Sequence, residues 1–174
     1  MAVEVSVSAS PITQFKDSGV DERADGLVFR GGIAMVSQDD TFGGLSSLAV
    51  TGPDHQVTFA SDRGNFVTGQ LVYDDGGRLF GFIGVRIEPM RNSRGMLLPR
   101  QYAKDAESLD TVYRDGVPVA VRVGFEHLTR VADFALTDGV PAEAAREVAF
   151  PDWLTDLRTN ESLESLCIAP PASP

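Results

Sequence analysis

The chain has 174 residues, 43% of them hydrophobic, enough for one domain with a real core and short for two. Fifteen basic against twenty-five acidic side chains leave a formal net charge of -10, which excludes the basic footprint that nucleic acid requires. The lone Cys167 excludes an intrachain disulfide, two distant histidines exclude a zinc cluster, and no window has the length of a membrane span.

In chain order, Val3, Val5 and Val7 alternate as one strand that Pro11-Ile12 ends, and residues 17–25 read as loop. Met1 to Ser10 has neither the basic start nor the apolar core of a signal peptide, so the sequence fits a cytoplasmic protein or one whose leader has been removed. Apolar β-like runs follow at Gly32–Ser37, Ser46–Thr51, Gln56–Ser61, Thr68–Tyr73 and Leu79–Ile87. Turn chemistry separates them, as in Thr51-Gly52-Pro53-Asp54-His55 and Asp74-Asp75-Gly76-Gly77, so an antiparallel meander is expected. Residues 88–104 lack periodicity and carry Arg91, Arg94, Arg100 and Lys104, which reads as a long basic loop. Ser108–Tyr113, Val117–Phe125 and Leu128–Leu136 resume the meander. Pro141–Val148 and Asp152–Arg158 are helix-like, Trp153 is expected as a packing anchor, and Cys167 as a small apolar residue facing into a strand pair. The expected organisation is an N-terminal strand and loop over 1–25, a main β segment over 26–168 and a disordered tail over 169–174.

One phrase is used three times. Gly44-Leu45-Ser46-Ser47-Leu48 returns as Asp105-Ala106-Glu107-Ser108-Leu109 and again as Ser162-Leu163-Glu164-Ser165-Leu166; the aligned leucines lie 61 and 57 residues apart. A period of this size carried by short strands marks a stacked β-architecture, so the expected fold is all-β: antiparallel meanders forming a partial β-propeller of about three blade-like units. Such a fragment exposes strand edges, which its own termini or a second copy must cover.

The repeat also aligns acids. Asp62 and Glu126 each end an apolar run one hairpin after the phrase, and Glu107 and Glu164 precede its Ser-Leu. Asp105 and Glu107, two residues apart, share a face in a regular strand, where two carboxylates bind a divalent cation or hold one proton between them; the alternative is a solvated strand edge. Asp62 and Arg63 read as a metal ligand and a phosphate clamp, or as a turn cap with a surface arginine. Arg130 faces the same side as Glu126 and can pair with it or receive an anion, whereas His127 in a regular strand points away, to the surface or into packing.

Phe29-Arg30-Gly31-Gly32, Phe42-Gly43-Gly44-Leu45-Ser46, Ser61-Asp62-Arg63-Gly64, Asp105-Ala106-Glu107-Ser108, Phe125-Glu126 and Asn160 to Leu166 occur in this order. The ensemble resembles the phytase-like family known as "esterase-like activity of phytase", a bacterial β-propeller group. The resemblance implies a phosphoric-ester hydrolase acting on a small phosphorylated substrate in the periplasm or outside the cell. It implies catalytic acids at Asp62, Asp105, Glu107, Glu126 and Glu164, with Arg63 and Arg130 meeting the anion. The hard oxygen donors of Asp105 and Glu107 favour Ca2+ as the ion. Two departures stand out: the family's asparagine-glycine before the third phrase is Asn160-Glu161 here, and three units are few against the 4–8 blades of a closed propeller. An inactive isolated chain, or a non-catalytic binding or assembly module, is the competing expectation.

Overall fold

The computed structural model describes residues 2–24, 26–99, 101–141, 144–156 and 163–169. In chain order the strands begin with β1 (Val3–Glu4), β2 (Val7–Ile12), β3 (Gln14–Phe15), β4 (Ser18–Gly19), β5 (Arg23–Ala24), β6 (Leu27–Val28) and β7 (Gly32–Ser37). The first meander is β8 (Leu45–Val50), β9 (Gln56–Ser61), β10 (Asn65–Tyr73) and β11 (Leu79–Pro89). After a single helical turn, α1 (Gln101–Lys104), the second meander is β12 (Ala106–Arg114), β13 (Val117–Phe125) and β14 (Arg130–Thr137), followed by β15 (Val140–Pro141), β16 (Arg146–Val148) and α2 (Asp152–Thr155).

The protein is all-β, and its sheets are antiparallel and open. One sheet has the order β1-β11-β10-β9-β8; the other runs β12-β13-β14-β15 with β16 also on β14; β2 and β7 form a separate ribbon. Alternation along each strand sends residues to opposite faces. In the first sheet Val57, Val67, Phe82, Val85 and Ile87 face the β2–β7 ribbon, where Ile33 and Met35 pack on them. Ala49, Ala60 and Phe66 face the second sheet and share a core with Leu109, Val121, Val123, Phe125 and Phe134. The Phe66 and Phe134 rings meet edge to face with centroids 4.9 Å apart.

Several expectations are corrected. The stretch 88–104 is not one loop: β11 runs on to Pro89, Arg91 and Leu97 form an isolated bridge, and α1 precedes β12. Residues 17–25 contain β4 and β5, and the helix-like stretch 141–148 instead supplies β15 and β16, which pair with β14 because an open edge there offers unpaired backbone groups. Trp153 is 65% exposed and Cys167 is also exposed, so neither anchors the core. Residues 157–158 of the expected second helix, the Asn160-Glu161-Ser162 turn and the tail from 170 onward lie outside the described residues.

Candidate functional site

The two meanders are built alike at the end that carries the acids. In the first, Leu45 pairs with Ser61 and Ser47 with Ala60, leaving Ser46 as a bulge; in the second, Ala106 pairs with Phe125 and Ser108 with Gly124, leaving Glu107 as the bulge. The Asp62 amide donates to the Gly44 carbonyl at 2.9 Å, and the Glu126 amide donates to the Asp105 carbonyl at the same distance. A serine of each unit donates to the next: Ser46, the bulge residue, to the Ala106 carbonyl at 2.6 Å, and Ser108, one repeat position later, to the Leu163 carbonyl at 3.1 Å, Ala106 and Leu163 being equivalent positions of the phrase. A bulge bends its strand and re-aims the extra side chain. In the first unit that side chain is a serine. In the second it is Glu107, and in the third phrase Glu164 holds the same position.

Four carboxylates therefore converge from two successive units. Glu107 shares a hydrogen bond with Asp105, and Glu126 shares one with Glu164. Burial, then the bond to Asp105 and the charges of Asp105, Glu126 and Glu164, push Glu107 up to about 7. Burial and Glu164 likewise raise Glu126. Glu126 is only 2% exposed, and its Oε1 has no hydrogen-bond partner. A buried, unpaired carboxylate oxygen is costly, and a bound cation is one of the few things that would offset it. Ligating atoms of Asp105, Glu126 and His127 all lie within 4.8 Å of one another.

The remaining sequence-derived residues sit differently. Asp62 occupies the equivalent of Glu126 in the first unit, but no carboxylate stands at its bulge, and it lies outside that group of ligating atoms. Its carboxylate covers Gly44, whose φ of +60° and lack of a side chain are both required: a Cβ there would lie 1.8 Å from Asp62 Oδ1. The guanidinium of Arg63 donates to the carbonyls of Asp40 at 2.6 Å and Phe42 at 3.4 Å, clamping the turn before β8. Arg130 does not turn towards Glu126. Paired opposite Phe125 across the hairpin, it stacks on that ring at 3.7 Å and donates to the Ala103 carbonyl at 2.6 Å. Burial lowers its pKa to about 10. With Gln101, which donates to the Asp62 carbonyl at 3.2 Å, it fixes α1 and hence the approach of Asp105.

The sequence reading missed His127. Its Nε2 lies 3.1 Å from Asp105 Oδ2 rather than pointing away from the acids. The strand ends at Phe125, and His127 takes a φ of +51°, so strand alternation no longer applies to it. The signal was the spacing: once Phe125 and Arg130 pair, only four residues remain for the hairpin, and such loops commonly need a residue in the left-handed region.

An all-β chain with a half-buried carboxylate–imidazole centre at its strand ends is the class that this geometry defines. The chain belongs to the phytase-like family described as esterase-like activity of phytase, whose model matches residues 40–173. That span takes in both meanders and the third phrase. Compared with curated proteins and with solved structures, the chain gives no match.

Proposed function

We propose that this protein is a phosphoric-ester hydrolase of the phytase-like type, with its centre at Asp105, Glu107, Glu126, Glu164 and His127. The observation that carries the reading is the buried Glu126 Oε1, unpaired among three further carboxylates. The repeated bulge, and serine links that reach the same position of the phrase in each next unit, support reading the meanders as successive propeller-like blades, with the centre at the junction of the second and third.

The donor set fits a divalent cation, which Asp105, Glu126 and His127 would hold. Such an ion supplies charge neutralisation to a phosphate ester and acidity to water. The chain's own residues do the rest. Glu107, about half protonated near neutral pH, is poised to give a proton to the departing ester oxygen or take one from water. Asp105 orients Glu107 through their hydrogen bond, and Arg130, through Ala103, orients Asp105. An acidic surface repels a phosphorylated substrate, so a cation that reverses the local field is also needed for binding.

The test follows phosphate release from phytate and from bis(p-nitrophenyl) phosphate, with added divalent cation and with EDTA. Wild type should turn over only with the cation, and Glu126→Gln and Asp105→Asn should fall by roughly 100-fold or more while remaining folded. Turnover that survives EDTA or both substitutions would overturn the assignment. Absence of release under every cation would instead support a binding module.

A further inference from the structure

The oxygen donors of Asp105 and Glu107 point to calcium, but the residues that converge here include an imidazole. We infer that His127 is a ligand and that the centre therefore selects a borderline transition cation of the Zn2+ or Co2+ class over Ca2+. The inference rests on the reading of the carboxylate cluster as a cation site.

Three observations carry it. The first is spacing: an ion about 2.0–2.2 Å from each donor puts neighbouring donors about 2.8–3.6 Å apart. His127 Nε2 and Asp105 Oδ2 are 3.1 Å apart. That distance alone also describes a simple ion pair. The second is that an ion pair between Asp105 and His127 leaves Glu126 unexplained: its buried Oε1 has no donor, and a carboxylate oxygen of this residue lies within 4.8 Å of the Asp105 and His127 donors. The third is backbone geometry: His127 is held in the left-handed region at the hairpin, which brings the imidazole back beside the residue that follows α1.

The donor chemistry then selects the ion. Calcium takes six to eight oxygen ligands in a flexible shell, whereas imidazole suits zinc, iron, copper and nickel. Two carboxylates and one histidine form a three-ligand set that leaves positions open, which is the pattern of catalytic rather than structural sites. Glu107 and Glu164, hydrogen-bonded to Asp105 and Glu126, are placed to orient these two ligands.

The experiment uses the full chain stripped with EDTA, in a Cys167→Ser background so that the exposed thiol does not capture soft metals. Calorimetric titration with Zn2+, Mn2+, Co2+ and Ca2+ separately is read beside the visible absorption of the Co2+ form. The comparison variant is His127→Asn, because asparagine tolerates a positive φ and keeps the turn while removing the imidazole. One equivalent of Zn2+ or Co2+ should bind at least about tenfold more tightly than Ca2+, and His127→Asn should remove that preference and change the Co2+ spectrum. Tighter Ca2+ binding with His127→Asn neutral would overturn the inference and leave the cation reading standing. Transition-metal binding that His127→Asn does not alter would also overturn it, and no binding of any cation would overturn both.

Discussion

Glu107 and Glu126 bind their protons more tightly in the folded protein than in the unfolded chain, because burial and neighbouring carboxylates penalise their charged forms. The consequence for stability has a definite sign. A carboxyl whose folded pKa is raised contributes fully below its ordinary value near 4.5 and loses that contribution as pH rises through about 7. Asp133 acts oppositely: burial works to raise its pKa, but hydrogen bonds from Arg122 and Arg146 outweigh it and hold the carboxyl below the ordinary range. Its contribution is lost only as pH falls into that acid region. The cation-free protein should therefore melt at a higher temperature at pH 5.5 than at pH 8, and Glu107→Gln should flatten the fall. A Tm that rises steadily from pH 5.5 to 8 in EDTA would contradict the raised pKa of Glu107 and Glu126. Arg130→Ala tests the same site through its support: loss of the link to Ala103 should free α1 and weaken cation affinity although the arginine touches none of the proposed ligands.

At the scale of elements, the bulged hairpin is the unit that repeats, and Gly124 shows how closely the third phrase is laid on it. A Cβ at Gly124 would meet Ser108 Oγ at 2.3 Å and the Leu163 side chain at 3.6 Å. Gly124→Ala should cost about 1–3 kcal/mol through overpacking, and adding Ser108→Ala should recover part of it. Urea midpoints for the single and double variants decide this; a neutral Gly124→Ala would mean that the junction is loose. Much of this level was legible in the sequence. Gln56–Ser61 and Val117–Phe125 have the bounds expected from their apolar runs and turns, since each is fully specified by local pattern. The meeting of Asp105 and Glu107 was legible from their two-residue spacing, although it forms at a bulge and not along a regular strand; the approach of Glu126 and Glu164 was legible only as repeat positions. β15 and β16 were not legible: their pairing is dictated by the free edge of β14, a tertiary fact that overrides a weak helical pattern. His127 was hidden for the related reason that a hairpin's length is fixed by register, not by composition.

For the whole molecule, the decisive fact is that the two meanders have one core between them. Ala49, Ala60 and Phe66 from the first sheet and Leu109, Val121, Val123, Phe125 and Phe134 from the second bury one another, and Thr111 Oγ1 donates across the junction to the Val50 carbonyl at 2.7 Å. Neither sheet keeps that face out of water alone, so the two should unfold together. Phe134→Ala should cost about 3–5 kcal/mol, as truncating a buried ring usually does. Phe66→Ala should be strongly coupled to it, by about 0.5–1.5 kcal/mol for the edge-to-face pair. The proposed site lies at strand ends held by this same core, and Phe125, which Arg130 stacks on, is part of it. A cation bound by the second unit should therefore raise the single unfolding transition of both sheets rather than a separate transition of one. Urea unfolding followed by far-ultraviolet dichroism and by hydrogen exchange resolved to each sheet measures this directly. Coincident midpoints that move together on cation addition are the expected result; two separable transitions, or additive effects of Phe66→Ala and Phe134→Ala, would mean that the meanders are independent and that the site draws its rigidity from the second alone.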